Sequence, residues 1–541
     1  MAVGVRRHLL ACLALLIATL LLESPAAAAP SAAFSAPQVL ANQGQHATAA
    51  MGPGGDVVVA WAGARGGVFA ARRDALGGPY SSAVRISDDR ISPFDPIRLA
   101  RNDRGDVAIA WIRAYTGQDS PAVVRIAVAA AGTRGFGAPQ DVASGEAVRH
   151  VALAVAPDGT TAISFVQARP PAGAYAAQRS AAGAVSAPQL LTSRALGLGV
   201  QLAATPDGGL HAIWLADTSG APGTTRLSAV NVAEARPGTP WGPAGRLSDP
   251  AWTSGDGGSG GLPQIVANRR GELIATWADS VPGSNFFQSR AEVAVRRAGG
   301  GWSAPQELAG PFKVVRSVSP AINDAGDAVV SWGDLSHVET TFRPAGGRFG
   351  GRLNTQVPAS PDLEGMAIGL DALGVTLIVR RQVVGNTEGP GQMFALVRRR
   401  DANPEPDIAI SAVEQAISSP AIATDPFGNG VIVWTSRGGS QPVTAVAYSA
   451  LPPLVARVRA GSRELRFRAS EPAKMRISVR RDVRRGKSAS QTAVAKPGAN
   501  KVRYSSRMRK LLRKKGRYVA TIRTRDAGPR SSTIKVRFRR R

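Results

Sequence analysis

The sequence predicts an all-β protein: an eight-bladed β-propeller closed by an N-terminal strand over residues 30–451, followed by a small basic Ig-like β-sandwich over residues 452–541. Three observations carry that expectation. An apolar run, a glycine-centred turn and a second apolar run recur eight times between Ala47 and Ser449. A motif that closes other units is missing from the last unit and stands instead ahead of the first. Nearly all of the net charge falls after Pro453. A repeat of about 50 residues built from short strands belongs to toroids and solenoids, because each unit leaves an apolar face that only its neighbour can cover.

The chain opens with Arg6, Arg7 and His8, an apolar stretch from Leu9 to Leu22, and then Glu23, Pro25 and Ala26 to Ala29. That apolar run is short for a bilayer span and leads into small residues, so residues 1–29 are expected to be a removable signal peptide. The single cysteine, Cys12, lies inside this run, which continues past it, whereas an acylated cysteine ends its run. A mature chain without thiols excludes disulfides, thiolate metal sites and cysteine nucleophiles. The expectation is a secreted or surface-associated monomer with no transmembrane segment.

Aligned on their turn glycines (Gly55, Gly105, Gly159, Gly208, Gly271, Gly326, Gly374 and Gly428), the units show their physics in columns. Six residues on stand Trp61, Trp111, Phe165, Trp214, Trp277, Trp332, Arg380 and Trp434. Five residues before the glycine the side chain is small (Ala50, Ala100, Ala154, Ala203, Val266, Ala321, Gly369, Ala423), and one residue earlier it is mostly large. Adjacent strand residues point to opposite faces, so this is a strand with one crowded and one roomy face, as the inner strands of a radial array require. The residues before each glycine, such as Asn102-Asp103-Arg104 or Thr205-Pro206-Asp207, are turn formers, and the glycine supplies a left-handed residue that closes a hairpin through a bulge.

Units close on Phe136-Gly137-Ala138-Pro139-Gln140, Val185-Ser186-Ala187-Pro188-Gln189 or Trp302-Ser303-Ala304-Pro305-Gln306, where proline suits an outermost strand. The eighth unit runs into Leu451-Pro452-Pro453 without this motif, and Phe34-Ser35-Ala36-Pro37-Gln38 precedes the first. An N-terminal strand that completes the last blade would leave no open edge.

Residues 452–541 hold 30 lysines and arginines against four acids, a net of +26 in a chain of +28. The pattern alternates. Arg466 and Arg468 flank Phe467, Lys474 and Arg476 flank Met475, Arg523 and Arg525 follow Ile522, and Lys535, Arg537 and Arg539 surround Val536 and Phe538. Period two puts cations on one face of strands whose other face is apolar. Ser505 to Lys515 is expected to hold a short helix capped by Ser505 or Ser506, with Met508, Leu511 and Leu512 inward and Gly516 as its stop. Leu512 to Tyr518 then has the form of a tyrosine corner before a sandwich strand.

Phe467-Arg468-Ala469-Ser470-Glu471-Pro472-Ala473, Gly516-Arg517-Tyr518 and Arg523-Thr524-Arg525-Asp526-Ala527-Gly528 together resemble the C-terminal Ig-like module of secreted actinobacterial proteins. The repeats are similar to exported propeller-type proteins of such bacteria. This resemblance implies a fold and leaves activity open.

Candidate chemistry is sparse. A sialidase Asp-box resembles Ser-x-Asp-x-Gly-x-x-Trp, with three positions from Gly to Trp, where here there are six, and no arginine triad is assignable. Gly257-Gly258-Ser259-Gly260-Gly261 matches a nucleophile elbow in form but sits in a low-complexity loop, without the strand and helix that the elbow needs. His46 and His150 share one repeat position, nine before the glycine, where a ligand contact is conceivable; Pro96, Gly199 and Ser419 at that position argue against a metal ring. Trp252, and Phe286 with Phe287, are further candidate contacts. No catalytic residue, metal or cofactor is assigned.

The dense cationic pattern attracts polyanions irrespective of sequence, so anionic cell-wall or extracellular polymers are the expected partners, with no specific nucleic acid. The reading is a non-enzymatic binding or scaffold protein. Its alternatives are a propeller-fold polysaccharide hydrolase or lyase, and a protein-interaction platform.

Overall fold

The computed structural model describes residues 33–541 except 75–78, 93–94, 115–120, 219–227, 250, 252, 255–261, 281–288, 314, 334–336, 357–365, 371–373, 384–389, 399–406, 415–417, 419, 426–428, 436–441, 450–454, 462, 470–472, 484–485, 496–497, 526–530 and 541. The proposed signal segment, Trp252, Gly257 to Gly261, Phe286 and Phe287 lie outside the described residues.

Small-beside-large strands joined by glycine turns build eight successive antiparallel sheets of propeller type among the described residues. The first is a meander of Gln45–Met51, Val57–Ala62, Val68–Arg73 and Val84–Ser87. Seven of the eight turn glycines adopt the expected left-handed conformation, with φ of +100° at Gly105 and +95° at Gly159, and Gly428 lies outside the described residues. The Gly105 N–H donates to the Asn102 carbonyl (3.1 Å), and Asn102 N–H to the Asp106 carbonyl (3.1 Å), which seals the bulged hairpin. In the fifth sheet the long insertion adds Thr253–Ser254 beside Ser280 and Asp279.

The tryptophan column is the glue between sheets. Trp111 packs with Val58 and Ala60 of the first sheet, Trp214 with Ala152 and Ala154 of the third, and Trp332 with Ile274 and Val293 of the fifth. Trp61 of the first sheet packs with Val431 and Val433 of the eighth, so the series returns to its start. Burying an indole removes roughly 150–250 Å² of mostly apolar surface from water, which makes this column the main apolar link between neighbours. Where the column breaks, at Arg380, the guanidinium is buried, pairs with Asp407 and lies 5.1 Å over the Phe394 ring.

The eighth sheet is Ala421–Thr424, Asn429–Thr435 and Val443–Ser449, with two N-terminal strands, Ala33–Phe34 and Gln38–Ala41, along its outer edge. Phe34 faces Tyr448 in register, and their rings stack at 5.9 Å. Ser35 explains the Ser-Ala-Pro motif. Its N–H donates to the Ala447 carbonyl (2.8 Å), and its hydroxyl accepts from the Ala447 N–H (3.0 Å). Ser186 does the same to Gln178, and Ser303 to Val295, so the hydroxyl supplies the acceptor that the ladder lacks as the chain turns into the proline.

Side-chain amides add a second set of links that span about 50 residues of sequence. On the inner rim Asn102 Nδ2 donates to the Ala156 carbonyl (2.8 Å) of the next sheet, and Asn268 Nδ2 to that of Asn323 (3.0 Å). On the outer rim Gln189 both donates to the Trp241 carbonyl (2.9 Å) and accepts from its N–H (2.7 Å).

The C-terminal segment forms two further sheets. Val455–Ala460, Glu464–Ala469 and Gly498–Arg503 make a three-stranded sheet; Ser488–Ala495, Ala473–Arg481, Gly516–Arg525 and Ser531–Arg540 make a four-stranded one. They enclose one apolar core, with Leu465 and Phe467 on one side and Met475, Ile477, Tyr518, Ala520 and Ile522 on the other, so the segment is a two-sheet sandwich. The short helix α1 runs only over Ser506–Leu511, capped by the Ser505 hydroxyl, with Met508 and Leu512 buried. It stops four residues short of the expected Lys515, where Tyr518 takes up the next two turns: its hydroxyl donates to the Leu511 (3.1 Å) and Lys514 (2.6 Å) carbonyls.

Candidate functional site

Alternation along the four-stranded sheet sends Ala473, Met475, Ile477 and Val479 into the core and Lys474, Arg476 and Arg480 outward. The neighbouring strand buries Tyr518, Ala520 and Ile522 and exposes Arg517 and Arg523; the edge strand exposes Lys535, Arg537 and Arg539. Register then sets cation beside cation. Arg476 stands directly opposite Arg523, and Arg517 opposite Arg539, while Lys474 is paired in the backbone with Arg525. On the remaining strand the residues opposite Lys474 and Arg476 are Val494 and Thr492. Among the described outward positions of these four strands none is a carboxylate. Asp482, just beyond a strand end, approaches Arg537 at 3.9 Å.

Seven of the nine sequence-predicted cations (Lys474, Arg476, Arg523, Arg525, Lys535, Arg537, Arg539) therefore share one sheet. Arg466 and Arg468 do not. Both lie on Glu464–Ala469 of the three-stranded sheet, where Arg466 is held by Glu464 (2.7 Å), which also pairs with Lys501 (3.2 Å). The hydrogen bond from Arg466 and then that from Lys501 hold the Glu464 carboxyl below its usual range. Arg480 and Arg517 belong to the cationic face and were missed, although each continues the same period-two pattern.

His46 and His150 are explained by backbone shape. Both have left-handed φ, 53° and 57°, at a register slip in the innermost strand, and Gly199, at the same repeat position, has φ +99°. A bulge needs a residue that tolerates this conformation, and histidine is several-fold enriched there among non-glycine residues. The two histidines sit in separate sheets. The His150 N–H donates to Asp95 (2.7 Å) and its side chain packs over Gly199, where an added Cβ would fall 2.8 Å from that of His150. His46 borders a surface pocket of about 460 Å³ with Arg65, Asp88 and Arg90.

At the opposite end of the inner strands an axial cavity of about 380 Å³ is bounded by Met51, Arg101, Val155, Ala204, Ala267, Ile322, Leu370 and Thr424, one residue from each of the eight sheets. Its rim is charge-balanced. Arg101 pairs with Asp56, and Arg269 pairs with both Asp103 (2.8 Å) and Asp324 (3.6 Å).

Glu292 and His211, both buried in the sheets, are pushed away from their usual titration ranges. Burial, reinforced by the charge of Asp279, pushes Glu292 up to about 8 despite the Arg290 guanidinium at 2.9 Å. Burial likewise lowers His211 to about 4. Glu292 is 2% exposed and shares Arg290 with Asp279, Glu307 and Asp249. Among the described residues no three His, Cys, Asp or Glu side chains are placed to hold a metal ion, and no helix is long and apolar enough to cross a membrane.

No family model and no curated protein matches the chain in sequence. Among solved structures it is similar to a lectin from Burkholderia pseudomallei, with 12% identity, 69% of this chain and 100% of that chain covered, and a TM-score of 0.44. It is also similar to an ulvan lyase, a polysaccharide lyase (8% identity, 69% and 96% covered, TM-score 0.42), and to the Trypanosoma rangeli sialidase (9% identity, 84% and 85% covered, TM-score 0.37).

Proposed function

We propose that this chain is an exported, non-catalytic attachment protein: a closed eight-bladed propeller carrying an Ig-like sandwich whose four-stranded sheet holds anionic cell-surface or extracellular polymer. The observation that carries the reading is the carboxylate-free outer face of that sheet, where Arg476 faces Arg523 and Arg517 faces Arg539. Like charges directly opposite on a sheet are destabilising. A polyanion laid across the face removes that repulsion and releases its own counterions.

The contacts between first and eighth sheets and a cavity bounded by all eight support a closed ring. The strand order of the sandwich, first-second-fifth in one sheet and fourth-third-sixth-seventh in the other, supports an Ig-like module together with the Tyr518 corner. Export rests on the N-terminal sequence pattern. Glu292, a carboxyl whose pKa burial raises, is enclosed with Arg290, so we assign that cluster to the fold.

The test is retention of the full chain on immobilised anionic polymer. Binding at low salt, with log K falling linearly in log salt, is the expected result; absence of retention at about 50 mM salt, the lower end of the roughly 50–200 mM range over which such affinities change steeply, rejects the reading.

A further inference from the structure

We infer that the cationic sheet recognises a linear phosphodiester polymer with three carbons between successive phosphates, lying along the strand direction. This rests on the polyanion-binding reading above and names the polymer. Cations on one face recur every second residue: Lys535, Arg537 and Arg539 form one row, and Lys474 and Arg476 another. Two residues of a strand advance about 6.6–6.8 Å.

That advance is the extended length of six backbone bonds. A three-carbon phosphodiester also places six bonds, P–O–C–C–C–O–P, between phosphorus atoms, and at the reach of three bonds per about 3.3–3.6 Å its charges recur every 7 Å or so. Polymer and strand therefore stay in step without stretching either. Adjacent rows lie roughly 4.8 Å apart, so a single phosphate can be met from two strands at once. Arg476 and Arg523 are such a pair, as are Arg517 and Arg539. Arginine outnumbers lysine on this face, and its planar fork suits two oxygens of one phosphate, where an ammonium acts as a point charge. Sugar carboxylates hang from rings at a different spacing and lack this match of period.

The test uses the full chain and three labelled probes of equal charge number: poly(glycerol phosphate), an abasic single-stranded deoxyribose phosphate, and a polyuronate, at about 50 and 200 mM salt. Both phosphodiesters are expected to bind at least tenfold more tightly than the polyuronate. A preference between the two would identify a wall-type polyol phosphate or a nucleic-acid strand as the source. Arg523→Lys combined with Arg537→Lys keeps the charge and is expected to shrink the preference severalfold, with thermal unfolding of the sandwich unchanged. Equal affinity for all three probes overturns this inference while leaving the attachment reading intact. Binding to none overturns both.

Discussion

The propeller-type sheets, which we propose close into a ring, and the sandwich use the same alternating strands but spend their arginines in opposite ways. In the ring, arginine is an internal strut. Arg343 is buried against Glu272 (2.9 Å), Arg380 against Asp407, and Arg269 ties three sheets at the axial rim. In the sandwich the same residue type stands outward in like-charged pairs, with Glu464 and Asp482 as its described carboxylate partners. Charge that locks neighbouring sheets together must be balanced and enclosed. Charge that is to hold a polymer, as we propose for the sandwich, must be unbalanced and open. The net charge of the chain therefore reports on its last sixth and says little about the ring.

The comparison breaks most severely at the seam. Removing residues 33–41 strips the eighth sheet of its outer strands and uncovers the edge carrying Tyr448; the ring should lose cooperative unfolding and self-associate, measured by calorimetry and light scattering, while the sandwich transition persists. Next in size, Trp332→Ala should cost the ring about 3–5 kcal/mol by chemical denaturation, because the indole is fully buried between the fifth and sixth sheets.

The pH response sharpens the contrast further. Glu292 keeps its proton in the folded ring up to about 8 but loses it near 4.5 when unfolded, so the ring binds more protons folded and its stability falls as pH rises from 4.5 to 8. Glu292→Gln should flatten that slope. His211 acts in the other direction: neutral in the fold down to about 4 and protonated below 6.5 when unfolded, it makes stability fall as pH drops through that window. The sandwich offers the smallest effect. Arg523→Gln relieves one facing pair and should stabilise the sandwich by about 0.2–1 kcal/mol, and the gain should vanish in high salt.

Much of this architecture was legible because it lies in short-range periodicity. Glycine turns, the Trp column, the displaced Phe34 to Gln38 motif and the Tyr518 corner each declare themselves within a few residues. Three features do not. The Asn102 and Gln189 links reach partners about 50 residues away, so nothing local marks them as more than polar turn residues. His46 and His150 are at first sight a chemical signal; the cause is a left-handed bulge, which a side chain does not announce. Alternation also tells which side of a strand a cation takes but not which sheet the strand joins, and so Arg466 was grouped with residues that face another way.

The most direct measurement compares two variants of the full chain on the same anionic polymer at low salt. One carries Arg476→Gln, Arg523→Gln and Arg537→Gln on the four-stranded sheet; the other carries Arg459→Gln, Arg466→Gln and Lys501→Gln on the three-stranded sheet. Each loses three charges. The four-stranded variant should lose most of its affinity and about 2 units of the log–log salt slope, at roughly 0.7 per phosphate contact, while the other stays close to the unmodified chain. Equal losses in the two variants would mean that net charge alone, and not this face, holds the polymer.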